Sequence, residues 1–328
     1  MSLHIVQIYP MYHPDGEEKL NQLASVKRFE TFDEQAIADY VQQHPVDGII
    51  LRAPARITPT ILDACKTVKA ISGAGIGLDN IDVAYATEKG IKVLHAPKLN
   101  SLATAEHTMA LLLAAMKDIS GFHMEMKDGN FSSRDGRYTM ELRGKTLGLI
   151  GFGSIAQQVA AMARNGFGME VLAGVRSITE ERQALADSLG IGLTTSMVEV
   201  FTESDAVSLH IPLTDQTRGL IDGKYFERMK PTAVLVNTAR GGVLNETDLC
   251  EALEGGKLLR AAVDVYEAEP PAPDHPFFST EGITMTPHIG GISLEAARET
   301  SVIIAENLVK AIRGEVLSVI ANAEKLAP

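Results

Sequence analysis

Three short segments in the second half of the chain place polar side chains directly after apolar, β-rich runs. They are Asn237-Thr238-Ala239-Arg240-Gly241-Gly242, Asp264-Val265-Tyr266-Glu267-Ala268-Glu269-Pro270 and Thr286-Pro287-His288-Ile289-Gly290-Gly291. Open α/β sheets hold their ligands just past the carboxyl ends of the strands, so chemistry is expected at these positions. Arg240 is a fixed cation that can grip a carboxylate and polarise a carbonyl beside it. His288 titrates near neutral pH and can give or take a proton. A carboxylate from Glu267 or Glu269, hydrogen-bonded to that imidazole, would orient the ring and favour its charged form. The nine histidines and two cysteines show no paired spacing of the kind that holds a metal, so metal-free chemistry is expected.

A second motif supplies a redox partner. Gly151-Phe152-Gly153-Ser154-Ile155-Ala156 follows the apolar run Leu147-Gly148-Leu149-Ile150 and opens an amphipathic helical stretch through Ala163. In that context a G-x-G-x-x-A match reads as a dinucleotide fingerprint. Gly151 permits the tight turn, and Gly153 lets the backbone approach a pyrophosphate. The helix start at Ser154 and Ile155 offers oriented N–H groups to the anion, and Ala156 keeps helix and strand close. The next strand of such a fold normally ends in an acidic residue that binds the ribose hydroxyls of NAD. This chain has Gly174-Val175-Arg176-Ser177 instead. Arg176 and Ser177 could receive a 2′-phosphate, so NADP(H) is the expected cofactor. NAD stays usable if Arg176 only stacks on adenine or faces solvent.

The elements that must position these residues follow from periodicity. A chain of 328 residues exceeds the size at which single cores stop growing, so two domains are expected. In the first hundred residues, β-rich runs at Ile5–Ile8, Gly48–Leu51, Val68–Ile71 and Ile91–Leu94 alternate with helical stretches such as Glu34–Gln43, the rhythm of βα units around a parallel sheet. A helical pattern over Ser101–Met116, with Ser101 as a plausible N-cap, is expected to cross between domains, and the polar stretch Lys127–Arg143 is expected to be an exposed arm. Six further strands are expected at Thr146–Ile150, Glu170–Ala173, Ala206–His210, Ala233–Asn237, Leu259–Val263 and Ile283–Met285, followed by a helix over Leu294–Ile312 that returns to the first domain. The expected fold class is therefore α/β: two doubly wound, Rossmann-like or flavodoxin-like domains. A cofactor domain of residues 101–291 is inserted into a discontinuous substrate domain of residues 1–100 and 292–328.

Composition narrows the partners. A net charge of −12 with no Lys/Arg cluster argues against nucleic acid. No run of 18 apolar residues argues for a membrane span, and Met1–Pro10 has no signal-peptide pattern, so a cytoplasmic protein is expected. Cys65 and Cys250 fit a reducing compartment and read as inert buried thiols.

Together with Gly73-Ala74-Gly75-Ile76-Gly77-Leu78-Asp79-Asn80-Ile81-Asp82 and His210-Ile211-Pro212-Leu213-Thr214, these segments resemble the D-isomer-specific 2-hydroxyacid dehydrogenases of glyoxylate/hydroxypyruvate reductase type over nearly the whole chain. The resemblance implies reversible hydride transfer between NAD(P) and a small 2-oxo acid, such as glyoxylate, hydroxypyruvate or pyruvate, giving the D-2-hydroxy acid. It implies that Arg240, Glu269 and His288 are catalytic, Glu269 being the acidic residue directly before the proline. It further implies that the backbone amides of Ala74 and Gly75 bind the substrate carboxylate, that Arg52 lies close to it, and that Asp264 holds the nicotinamide carboxamide. Thr104, His210, Pro212, Thr217, Thr238, Ala239 and Gly290 would line the cofactor cleft. A homodimer with the central arm reaching across is implied too. Leu99 stands where many lactate-type relatives have tyrosine, and the absence of tryptophan removes a side chain that many hydroxypyruvate and glyoxylate reductases use, so the acid itself is not specified. The alternative is an NAD(P)-sensing binding protein of corepressor type that keeps the fold without significant turnover.

Overall fold

The structure, a computed structural model, describes residues 2–75, 77–96 and 98–326. It divides into two compact units, residues 1–100 with 292–328, and residues 101–291. The first segment of the first unit carries strands β1 (Leu3–Ile8), β2 (Ala24–Phe29), β3 (Gly48–Leu51), β4 (Ala70–Gly73) and β5 (Lys92–Leu94), with helices α1 (Pro14–Leu23), α2 (Glu34–Gln43), α3 (Pro59–Ala64) and α4 (Val83–Glu88). The second unit opens with α5 (Ser101–Lys117) and α6 (Ile119–Lys127). It continues through β6 (Thr146–Ile150), α7 (Ser154–Phe167), β7 (Glu170–Gly174), α8 (Glu180–Leu189), β8 (Gly192–Thr194), α9 (Met197–Glu203), β9 (Ala206–Leu209), α10 (Gly223–Phe226), β10 (Val234–Asn237), α11 (Glu246–Glu254), β11 (Arg260–Val263) and β12 (Ile283–Met285). Helices α12 (Leu294–Ile312) and α13 (Ala323–Leu326) complete the first unit.

Both sheets are parallel. The first has the order β2-β1-β3-β4-β5, the flavodoxin-like arrangement; the second runs β12-β11-β10-β9-β6-β7-β8, a doubly wound sheet whose order reverses where β6 lies between β9 and β7. The strands of the second sheet are apolar on both faces because helices cover both. Val234 and Val236 of β10 enter one core layer with Leu147 and Leu149 of β6 and the apolar side of α5 and α7, while Leu235 enters the opposite layer with Val207, Leu209 and Val263. In the first unit α12 packs Ile304, Leu308 and Val309 against the face of the sheet that includes Ile5, Ile50 and Ala70.

Two strands escape the sequence pattern. β2 is an edge strand whose buried and exposed residues alternate weakly, and β8 is an edge strand of three residues. The helical run from residue 101 is interrupted at Asp118, whose left-handed φ of 53° separates α5 from α6. Ser101 is the first residue of α5 rather than its cap. Cys250 is buried, but Cys65 is only partly so, and burial still pushes its thiol up to about 12. Among the described residues no helix is long and apolar enough to cross a membrane, and no group of three or more His, Cys, Asp or Glu could hold a metal ion.

Candidate active site

Arg240, Glu269 and His288 emerge from the carboxyl ends of β10, β11 and β12, three adjacent strands of one sheet. The loop after β10 is tied down by the fully buried Asn237, whose side chain accepts from Ala239 N at 3.0 Å and donates to the Arg240 carbonyl at 3.1 Å. The Arg240 guanidinium donates to the Ala239 carbonyl at 2.7 Å. Gly241 brings this loop against the next: a Cβ there would lie 1.8 Å from the carbonyl carbon of Tyr266.

The loop after β11 presents Glu269. One carboxylate oxygen accepts the Tyr266 N–H at 3.1 Å, and the other meets His288 Nδ1 at 2.6 Å. This bond places the proton on Nδ1 and leaves Nε2 as the ring's working nitrogen. His288 is 42% exposed, open enough for a solute to reach it. Its backbone has a φ of 55°, which costs a non-glycine residue on the order of 1 kcal/mol or more and must be held by its surroundings. Glu267 is exposed and donates its N–H to Glu246 at 2.8 Å, so Glu269 is the carboxylate that meets the imidazole.

Asp264, 1% exposed, is the hub of the His288 loop. Its oxygens accept Thr286 Oγ1 at 2.6 Å, Ile289 N at 2.9 Å and Gly290 N at 2.8 Å, and lie 3.3 Å from His107 Nε2. Burial opposes the charge, but these donors outweigh it and hold the carboxyl below its usual range. Oδ1 takes the Thr286, Ile289 and His107 contacts, and Oδ2 takes the Gly290 amide. These bonds make Asp264 the residue that fixes this loop.

The dinucleotide turn lies at the point where the strand order reverses. Gly151 has a φ of 102°, and a Cβ there would stand 2.5 Å from the carbonyl oxygen of His210, at the end of β9. At Gly153 the same position is open space, and α7 begins at Ser154 with no side-chain cap on its first amides. The fit to a phosphate-bearing group is therefore good. Ser154 Oγ lies 3.4 Å from Ser101 Oγ, and Ile155 is partly buried beside the α5 and α7 core layer. His210 pairs with Ser208 Oγ at 2.9 Å, and desolvation pushes its imidazole down to about 4, so it is neutral at pH 7. The Thr217 hydroxyl donates to the Pro212 carbonyl at 2.6 Å, closing that loop on itself. Thr104 is buried in the first turns of α5, and Thr238 Oγ1 lies 2.7 Å from Thr108 Oγ1.

After β7, Arg176 is exposed, and a residue missed by motif reading joins it: Arg182 of α8 donates to both the carbonyl and the hydroxyl of Ser177, at 2.8 and 2.9 Å. The Arg182 guanidinium thus holds Ser177, next in sequence to Arg176. The signal lay eight residues past the strand end, inside a helix.

In the first unit, Arg52 donates Nε to the Pro10 carbonyl at 2.6 Å and lies over the rings of Tyr9 and Tyr12. Ala74 donates its N–H to the Leu51 carbonyl at 3.0 Å, so that amide is committed to the protein and unavailable to a carboxylate. Gly75 accepts the Ala96 N–H through its carbonyl. Ile76 of the same glycine-rich run lies outside the described residues.

A Rossmann turn, an imidazole backed by a carboxylate and an arginine on the adjacent strand end define a dinucleotide-dependent type of active site. Residues 109–290 match the family model described as D-isomer specific 2-hydroxyacid dehydrogenase, NAD binding domain. The chain belongs to the D-isomer specific 2-hydroxyacid dehydrogenase family. It is 40% identical over 267 residues to a hydroxypyruvate reductase of Thermotoga maritima, covering 81% of this chain and 84% of that one. It is 36% identical over 311 residues to a D-3-phosphoglycerate dehydrogenase of Methanocaldococcus jannaschii, covering 94% of this chain and 58% of the relative. The chain spans about half the length of several such phosphoglycerate dehydrogenases. A solved glyoxylate reductase from Paecilomyes thermophila superposes with a TM-score of 0.86 at 30% identity, covering 98% of this chain and 99% of that one.

Proposed function

We propose that this protein is an NAD(P)-dependent oxidoreductase that reduces a small 2-oxo acid to the D-2-hydroxy acid and can run the reaction in reverse. The observation that carries the reading is the relay Tyr266 N–H to Glu269 to His288 Nδ1 beside the loop of Arg240. When bound, the dinucleotide supplies the hydride that adds to the carbonyl carbon. Arg240 binds the substrate carboxylate and polarises the carbonyl. His288 Nε2 gives the proton to the oxygen in reduction and takes it back in oxidation, and Glu269 holds the ring by its bond to Nδ1. In the first unit, Gly75 and Arg52 are kept as contacts for the substrate carboxylate, and Ala74 is not.

NADP(H) is proposed as the preferred cofactor, on the support of Arg176, Ser177 and Arg182 and the lack of a carboxylate at the end of β7. A homodimer in the cytoplasm is proposed as the working form. The test is a steady-state screen of glyoxylate, hydroxypyruvate and pyruvate with NADPH and NADH in parallel. The wild type is expected to oxidise NADPH with at least one acid, His288→Ala to be inactive, and Arg240→Ala to lose more than about 2 kcal/mol in kcat/KM. A wild type that oxidises neither cofactor with any acid sinks the reading, and a strong NADH preference sinks the role of Arg176.

A further inference from the structure

Helix α5 carries a polar edge inside an otherwise apolar packing surface. Leu111, Leu112, Ala115 and Met116 are buried in the core layer shared with β6 and β10, which makes the helix a rigid element. Yet His107 and Thr108, consecutive residues of this helix, each hydrogen-bond to a different loop of the active site. His107 Nε2 lies 3.0 Å from Thr286 Oγ1 and 3.3 Å from Asp264, two residues and one hydrogen-bond step from His288. Thr108 Oγ1 lies 2.7 Å from Thr238 Oγ1, two residues before Arg240.

Counting protons fixes the direction of both contacts. The single hydrogen of the Thr286 hydroxyl goes to Asp264 at 2.6 Å, so the His107 nitrogen facing it must be the donor. The Thr108 hydroxyl spends its hydrogen on the Thr104 carbonyl at 2.7 Å, so Thr238 donates to Thr108. The fit around His107 is close: a Cβ on Gly290 would come within 2.9 Å of Asp264 and 3.3 Å of the His107 ring.

We propose that α5 is a positioning helix: His107 holds the loop of His288 through Thr286 and Asp264, Thr108 holds the loop of Arg240 through Thr238, and one rigid element thereby sets the two loops relative to each other. The inference rests on the reading of Arg240 and His288 as the catalytic pair. The left-handed backbone of His288 gives the clamp its purpose, since a strained loop relaxes when its fastening is removed. Neither His107 nor Thr108 touches the reacting atoms in this scheme.

The test uses His107→Leu, His107→Gln, Thr108→Val and the full-length wild type. Two readouts are followed: turnover of glyoxylate and hydroxypyruvate, and amide hydrogen exchange of residues 238–243 and 286–291. His107→Leu is expected to speed exchange in 286–291 and to lower kcat at least about tenfold, as a displacement on the order of 1 Å would do. The affinity for NADPH, read by fluorescence, should stay within about threefold, because the turn at Gly151 is untouched. His107→Gln keeps an N–H donor and should recover most of the turnover. Thr108→Val should loosen residues 238–243 instead. Unchanged exchange in both loops overturns the clamp, as does a His107→Gln variant no better than His107→Leu. A wild type that turns over no acid overturns the dehydrogenase reading alone, and the exchange rates still decide the clamp.

Discussion

His288 and His210 are both imidazoles at strand ends of one sheet, and their surroundings differ. His288 is 42% exposed and its Nδ1 meets the Glu269 carboxylate at 2.6 Å. The His210 ring pairs with the Ser208 hydroxyl, and burial pushes its pKa down to about 4. A lowered folded value means that the unfolded chain binds a proton, near pH 6.5, that the folded chain refuses. The stability from a neutral His210 is therefore complete above about pH 6.5 and is lost as pH falls from there towards 4. On the order of 2 kcal/mol should be lost by pH 5. His210→Gln removes the titration and keeps a side chain able to meet Ser208. Urea unfolding at pH 7 and pH 5 should show the wild type losing more stability than the variant. Equal losses in the two proteins would discard this account of His210.

At the scale of elements, the site depends on backbone that fits only without side chains. At Gly241 a Cβ would overlap the Tyr266 carbonyl group at 1.8 and 2.1 Å, so Gly241→Ala must push the Arg240 loop away from the loop of Glu269. The expected result is a kcat/KM lowered by about 10²-fold, with a stability loss of about 1–3 kcal/mol from overpacking. Kinetics and thermal unfolding of the variant check both, and a wild-type kcat/KM would show that the two loops need not touch. Much of this arrangement was legible beforehand. β6, β12 and α12 have their expected limits because apolar runs and caps bound them, including Ser293 capping α12 through Ala296 N. β2 and β8 were not legible, since an edge strand with Ser25, Lys27 and Arg28 has no continuous apolar signal and a three-residue strand has almost none. The candidate triad was legible from a family resemblance carried by the order of its three segments, and in the structure Glu269 and His288 meet at 2.6 Å. His107, Thr108 and Arg182 were hidden because a polar residue inside a helical pattern looks like a solvated face until its partner, more than a hundred residues away for His107 and Thr108, is known. The Ala74 amide illustrates the reverse case: a glycine-rich run suggests open amides, and only the Leu51 carbonyl shows that one is taken.

At the scale of the whole molecule, the exposed apolar side chains of the second unit bear on the proposed homodimer. A groove along α5 and α7 is lined by Met109, Ala110, Leu113, Met162 and Phe167, and its lining is almost wholly apolar. Ile119, Met124 and Met126 of α6 and Phe131 and Tyr138 of the arm are all more than half exposed. Scattered exposed apolar residues are ordinary, and a groove together with five such side chains is the surface on which the proposed dimer is tested. The arm is fastened by Arg137, which precedes Tyr138 and meets the largely buried Asp118 at 2.6 Å, and Asp118 is itself held by Arg260 at 2.7 Å. An arm anchored in this way keeps its apolar tip exposed unless a second copy receives it, and covering such a surface from both sides fits the isologous contact of a two-fold dimer. Light scattering after gel filtration should therefore give twice the protomer mass of 35.3 kDa. Met124→Asp combined with Phe167→Asp should give the protomer mass with the fold intact by circular dichroism, since neither side chain belongs to the buried core. A wild type that stays at the protomer mass at micromolar concentration would leave the groove without its proposed occupant, and a double variant that remains dimeric would move the interface elsewhere.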